Sequence, residues 1–97
     1  MEKNWVLYMI ECGDHTLYTG LTDDLDRRFR AHSEGKGAKY TRGRGPLILR
    51  YREECGSHSA ALRRECAVKK LSRQEKLRLI REAEQAERST EVDLQSP

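Results

Sequence analysis

With 97 residues, 36% of them charged and 36% hydrophobic, the chain has the size of one compact domain with a thin core, and a second independent domain does not fit. No apolar stretch approaches the roughly 20 residues of a membrane span, and the run at residues 5–10 lacks the basic flank and small-residue cleavage site of a secretory signal. The formal net charge of +3 says little by itself, but the charges are segregated along the chain.

Trp5 to Ile10 is apolar at every position, which predicts a short strand covered on both faces. Gly13-Asp14-His15 supplies turn residues, and Leu17-Tyr18-Thr19-Gly20-Leu21 reads as the returning strand of a hairpin. Thr22 or Asp23 can cap the helix that follows, with acidic residues in its first turn and an end near Gly35. On that helix Leu25 and Phe29 share one stripe, and Arg28 and His32 share the neighbouring one.

Residues 33–46 form a glycine-containing loop, and Pro46 opens a third strand in which Leu47, Leu49 and Tyr51 alternate with Ile48 and Arg50. A helix is predicted from about Ser59 to Leu71, then Ser72-Arg73-Gln74-Glu75 forms a capping box that starts a last helix carrying Leu77 and Ile80. From Glu82 onward the apolar pattern is lost. A frayed helix and then a disordered tail are expected there, so the expected division is a domain at 1–82 and an acidic, disordered tail at 83–97. The order ββαβαα predicts a small α/β sandwich.

Residues 27–52 hold Arg27, Arg28, Arg30, Lys36, Lys39, Arg42, Arg44, Arg50 and Arg52 against Glu34 alone, whereas residues 1–26 are mainly acidic. Such a block is the footprint expected for a polyanion, because each Lys or Arg on a phosphate releases condensed counterions. Cys12, Cys55 and Cys66 are odd in number and contain no CxxC pair, so neither a disulfide framework nor a zinc site is expected. Free thiols in a reducing, cytoplasmic compartment are the simplest reading. Cys66 has a core-facing spacing in its helix and is expected to pack.

Glu65 has Ala61 at i−4, Leu62 at i−3 and Val68 at i+3, which directs its carboxylate toward the sheet side of its helix. A lone buried charge there costs several kcal/mol unless it is paired or binds a metal. A salt bridge to Arg28 or a lysine, a rotated helix and a metal site are the alternatives. Arg28 and His32 lie one helical turn apart, after a hairpin carrying Tyr8 and Tyr18. Arginine suits non-bridging phosphate oxygens, and a histidine or tyrosine can orient or deprotonate a water. A tyrosine acting as a base needs help from a cation or metal.

Tyr8 after Val6-Leu7, together with Tyr18-Thr19-Gly20, resembles the two half-motifs of the GIY-YIG nucleases, with Val6, Leu7 and Thr19 as departures from the pattern. The stretch from Asp24 to His32 is similar to the family helix that carries an essential arginine, and Arg28 falls on that position. Leu62-Arg63-Arg64-Glu65 with Lys69-Lys70-Leu71 resembles the helix that carries the metal-binding glutamate, and Glu65 falls there. Residues 35–43 and 60–65 look like the small, stand-alone bacterial branch related to the YhbQ proteins (UPF0213).

The resemblance implies a three-stranded, mostly antiparallel sheet flanked by helices, and an endonuclease hydrolysing phosphodiester bonds in DNA with one Mg²⁺ or Mn²⁺ held by Glu65. It implies that Arg28 stabilises transition-state charge, that Tyr8 activates or positions the attacking water, and that Tyr18 and His32 contact the phosphate or assist proton transfer. Arg27, Lys36, Lys39, Tyr40, Arg42 and Arg44 are the expected nucleic-acid contacts, with DNA favoured over RNA. Structure-selective cutting of the kind used in DNA repair, a protein partner supplying specificity, and no membrane association complete the expectation. The rival reading is a binding module that keeps the fold without cleaving DNA or RNA.

Overall fold

The computed structural model describes the backbone of residues 3–95 and the side chains of residues 3–88. β1 (Trp5–Glu11) pairs antiparallel with both β2 (Leu17–Thr22) and β3 (Ile48–Gly56), so the sheet order is β2-β1-β3. A central strand covered on both faces has no solvent side. That is why Val6 to Ile10 show no alternation and are all at or below 5% exposure. Each such aliphatic side chain, once buried, contributes roughly 1.5–3 kcal/mol to stability.

Val6, Tyr8 and Ile10 point to one face, where they pack with Leu25, Phe29, Tyr18 and Leu47. Leu7 and Met9 point to the other, against Val68 and Ile80, with Leu17, Leu21, Tyr51 and Leu77 around them. The first face is covered by α1 (Leu25–Ser33) and the second by α2 (His58–Lys69) and α3 (Arg73–Gln95). The chain is thus an α/β sandwich in the order ββαβαα, with a short 3-10 turn at Lys39–Thr41 in the α1–β3 loop.

Local chemistry sets the helix ends. The α1 cap is Asp24, not Thr22 or Asp23. Its Oδ1 accepts from Arg27 N–H at 3.2 Å, while Thr22 Oγ1 accepts from Asp24 N–H at 3.0 Å and locks the approach. At the other end Gly35 takes φ 77°, with Lys36 N–H bonded to the Ala31 carbonyl and Gly35 N–H to the His32 carbonyl. That six-to-one, five-to-two pairing is a Schellman end, and glycine adopts its left-handed residue without a Cβ penalty. The Ser72–Glu75 capping box forms reciprocally, at 3.1 and 3.2 Å.

Two further expectations are corrected. β3 runs to Gly56, and one extra residue, Arg50, separates the Met9–Tyr51 pair from the Ile10–Leu49 pair. This bulge sends Tyr51 to the face of Leu7 and Met9, away from the side shared by Leu47 and Leu49. Cys66 is exposed; the buried residues of α2 are Ala61 and Val68. The helix expected to continue past Glu82 reaches Gln95, and residues 96–97 of the expected tail lie outside the described residues. Residues 73–95 contain no glycine or proline and are rich in Glu, Arg, Ala and Gln, so helix propensity carries the element beyond its last apolar contact. Among the described residues no helix is long and apolar enough to cross a membrane.

Candidate active site

Tyr8, on the central strand, is opposite Gly20 in the β1–β2 register, and its ring lies across that glycine. A Cβ at Gly20 would stand 2.5 Å from Tyr8 Oη, so the absence of a side chain there is what makes room for the phenol. Tyr18, two residues earlier on β2, shares this face, with ring centroids 6.2 Å apart. α1 then lays Arg28 and His32 over the pair.

The Tyr8 hydroxyl is 2.8 Å from His32 Nε2. On the far side of the imidazole, Nδ1 is 3.3 Å from the Ala38 N–H and 2.9 Å from Thr41 Oγ1. A backbone amide can only donate, so Nδ1 is an acceptor and the proton of the neutral ring sits on Nε2, donating to Tyr8. Thr41 Oγ1 is also 2.9 Å from the Ala38 carbonyl, and its single proton is shared between these two acceptors. Burial, and then the Arg28 charge, lowers the His32 pKa below 6.5, which keeps the ring neutral.

The Arg28 guanidinium lies beside the Tyr8 and Tyr18 hydroxyls, and Tyr8 is the main reason its own pKa is raised. The Tyr8 pKa is pushed up to about 12, chiefly by burial, with Arg28 pulling it back. The Tyr8 oxygen therefore receives a donor from His32 and lies beside the Arg28 charge. Such a pair orients the phenol and favours its ionised form over that of an equally buried tyrosine without them.

The structure brings Tyr8, Tyr18, Arg28 and His32 together, and among the described residues the ion pair of Glu65 is to Lys69. Glu65 continues the Ala61–Val68 stripe of α2, on the Leu7–Met9 side of the sheet, and its Oε2 is 3.3 Å from Lys69 Nζ. Among the described residues, no group of three or more His, Cys, Asp or Glu could hold a metal. A lone carboxylate, 20% exposed, still fits Mg²⁺ or Mn²⁺ as one ligand of several, because Mg²⁺ commonly takes one or two carboxylates with waters and substrate phosphate. Thr19, on the strand beneath α2, has a buried hydroxyl without a partner, a further polar atom on that side of β2.

The expected nucleic-acid contacts divide into two groups. Arg44 is committed to Asp14 at 2.5 Å and lies over the Tyr40 ring, and Lys36 is 3.9 Å from Glu34. Arg27, Lys39 and Arg42 have no carboxylate within ion-pair distance among the described residues, and neither does Arg30. Sequence reasoning missed Thr41 and Gly37 altogether. A Cβ at Gly37 would collide with the His32 imidazole. The signal for Gly37 was a glycine in a loop beside a histidine helix; Thr41 gave none. Arg52, the last cation of the basic block, is opposite Tyr8 in the β1–β3 register and so shares its face.

A family model described as the GIY-YIG catalytic domain matches residues 4–78. The chain is 54% identical over 76 residues to a UPF0213 protein of Klebsiella pneumoniae, covering 78% of this chain and 72% of that protein. It is 48% identical over 80 residues to the UPF0213 protein YhbQ of Salmonella typhimurium, covering 82% and 80%. Among solved structures, that of a UPF0213 protein from Bacillus halodurans is similar with a TM-score of 0.52 at 49% identity, over 79% of this chain and 82% of that one. A protein from E. faecalis gives a TM-score of 0.60 at 35% identity, over 87% and 92%. None of these names states a substrate.

Proposed function

Because the chain belongs to the GIY-YIG catalytic-domain family, we propose that it is an endonuclease that hydrolyses phosphodiester bonds in DNA, aided by one Mg²⁺ or Mn²⁺ ion. The family supports a nuclease-type function and a nucleic-acid partner. The observation that carries the reading to particular residues is the Tyr8 hydroxyl, met by His32 Nε2 at 2.8 Å and by Arg28.

In the proposed reaction the scissile phosphate lies against Arg28, whose guanidinium fork stabilises charge building on the non-bridging oxygens. Tyr8 positions the attacking water and, once ionised, takes its proton. Tyr18 hydrogen-bonds the phosphate. Both His32 ring nitrogens are occupied, Nε2 by the Tyr8 hydroxyl and Nδ1 by the Thr41 and Ala38 groups, so it acts through Tyr8. Glu65 would hold the ion, which neutralises phosphate charge when bound. Arg27, Arg30, Lys39 and Arg42 supply backbone contacts. These carry no sequence information, so selectivity would rest on DNA structure or on a protein partner. Three free cysteines support a reducing, cytoplasmic location.

A second reading, a binding module without cleavage, draws on the pairing of Glu65 with Lys69. One assay separates the two: wild type and Glu65→Ala against plasmid, branched DNA and RNA, with and without Mg²⁺ or Mn²⁺. The nuclease reading expects metal-dependent DNA cleavage that Glu65→Ala loses. Equal cleavage by Glu65→Ala would remove the metal assignment, and salt-dependent binding with no cleavage in any metal would favour the module.

A further inference from the structure

We propose that Arg44 and Asp14 form a clasp that positions Tyr18 and, through the same loop, His32, and that Arg44 is a positioning residue and not a nucleic-acid contact. The inference builds on the nuclease reading of the Tyr8 cluster but concerns a different part of the chain.

The α1–β3 loop is tied to the β1–β2 turn at one point. Gly13 N–H donates to the Arg44 carbonyl at 2.5 Å, and Arg44 Nη1 donates to Asp14 Oδ2 at 2.5 Å. Asp14 is itself fixed, because its other oxygen accepts from the Thr16 hydroxyl at 2.6 Å and the Thr16 amide at 3.2 Å. The guanidinium so held lies 4.4 Å from the centre of the Tyr40 ring. Tyr40 in turn stacks on Tyr18, with centroids 5.8 Å apart and planes at 25°. The next residue, Thr41, meets His32 Nδ1. One loop segment, anchored by the clasp, therefore touches both Tyr18 and the histidine that orients Tyr8.

An exposed ion pair of this kind adds little to stability; both side chains are about two-fifths exposed. Its consequence is geometric. Charge gives a discriminating test. If Arg44 bound a phosphate, Arg44→Ala would weaken DNA binding and lower the salt slope by about 1, while removing the nearby anion with Asp14→Ala would strengthen binding. A clasp makes the opposite charge changes equivalent.

The experiment uses the full chain and its Arg44→Ala and Asp14→Ala variants. In the DNA-free proteins the Tyr18 and Tyr40 ring resonances and the His32 ring nitrogens are recorded by NMR, with Leu7, Met9 and Ile80 methyl signals as the check on folding. The clasp expects both variants to shift the ring signals alike and to lower kcat about tenfold, with Kd and salt slope unchanged. Unmoved ring signals, or opposite effects of the two variants on affinity, would overturn it. A wild-type protein that does not nick DNA would remove the nuclease reading, and the ring signals would still decide the clasp.

Discussion

The Tyr8 hydroxyl and His32 Nε2 are joined by a 2.8 Å hydrogen bond between two side chains that are each 1% exposed. A buried bond of this kind fixes the direction of the phenol oxygen, and removing either partner leaves the other unsatisfied. Removing one partner of a buried pair costs about 1–3 kcal/mol through desolvation alone. The His32 ring is held in turn by Ala38 and Thr41, so the geometry at Tyr8 depends on a loop far from it in sequence.

Gly37→Ala tests that dependence without replacing a titrating group. The new methyl would collide with the His32 imidazole and force the loop or the ring to move. Overpacking of this kind costs about 1–3 kcal/mol. Urea denaturation should show the loss, accompanied by a shifted His32 ring signal. Wild-type stability with an unmoved ring signal would mean that the loop accommodates the methyl elsewhere.

Stability should fall on the alkaline side through Tyr8 and Tyr51. Burial raises both to about 12, and for Tyr51 the hydrogen bond to Glu53 adds to the effect. Their folded pKa values lie above the unfolded value near 10, so the fold prefers the protonated phenols. That preference is fully present below pH ~10 and is lost as pH climbs through about 12, at about 1.4 kcal/mol per pH unit for Tyr8. Denaturation curves between pH 9 and 11, roughly the onset of this window, should show a shallower decline in Tyr8→Phe than in wild type.

The pH–rate profile carries two signatures. A Tyr8 phenolate acting as base gives a log rate rising with a slope of about 1 above neutrality. His32 must also be neutral, and burial and Arg28 hold its pKa below 6.5. The slope should therefore steepen only below 6.5, as His32 protonates and its Nδ1 can no longer accept from Ala38. A flat alkaline limb, or a break at or above 6.5, would contradict these roles.

DNA affinity should discriminate among the cations. Arg27→Ala, Lys39→Ala and Arg42→Ala should each weaken binding and reduce the salt slope by about 1. Lys36→Ala should change both less and Arg44→Ala should change neither, because those cations already face Glu34 and Asp14. Titrations at several salt concentrations measure this directly. Equal slopes for all five variants would show that intramolecular pairing does not decide which cations reach phosphate.

Much of this was legible because it is local. The central position of β1 follows from five apolar residues without alternation, the α1 stripes from i, i+4 spacing, and the Ser72 cap from its own four residues. What was not legible depends on how distant segments meet. No local pattern marks Arg50 as a bulge, because a bulge is a mismatch with β1 and not a property of β3. Arg44 reads as a free cation until the turn carrying Asp14 is placed beside it. His32 reads as a group that meets water or phosphate until the Gly37–Thr41 loop closes over it. Glu65 was expected on the sheet side of its helix and is on the stripe of Ala61 and Val68, but spacing within α2 says nothing about which sheet face α2 covers.

The most direct test of the proposed chemistry is single-turnover nicking of covalently closed plasmid in Mg²⁺ or Mn²⁺, comparing wild type with Arg28→Ala and Tyr8→Phe at matched, saturating protein. The account predicts nicking by wild type and a loss of at least about a hundredfold in each variant, the scale of removing a charge-stabilising donor or a positioned base, with plasmid binding retained. Wild type that binds but never nicks, or variants that nick at the wild-type rate, would contradict it.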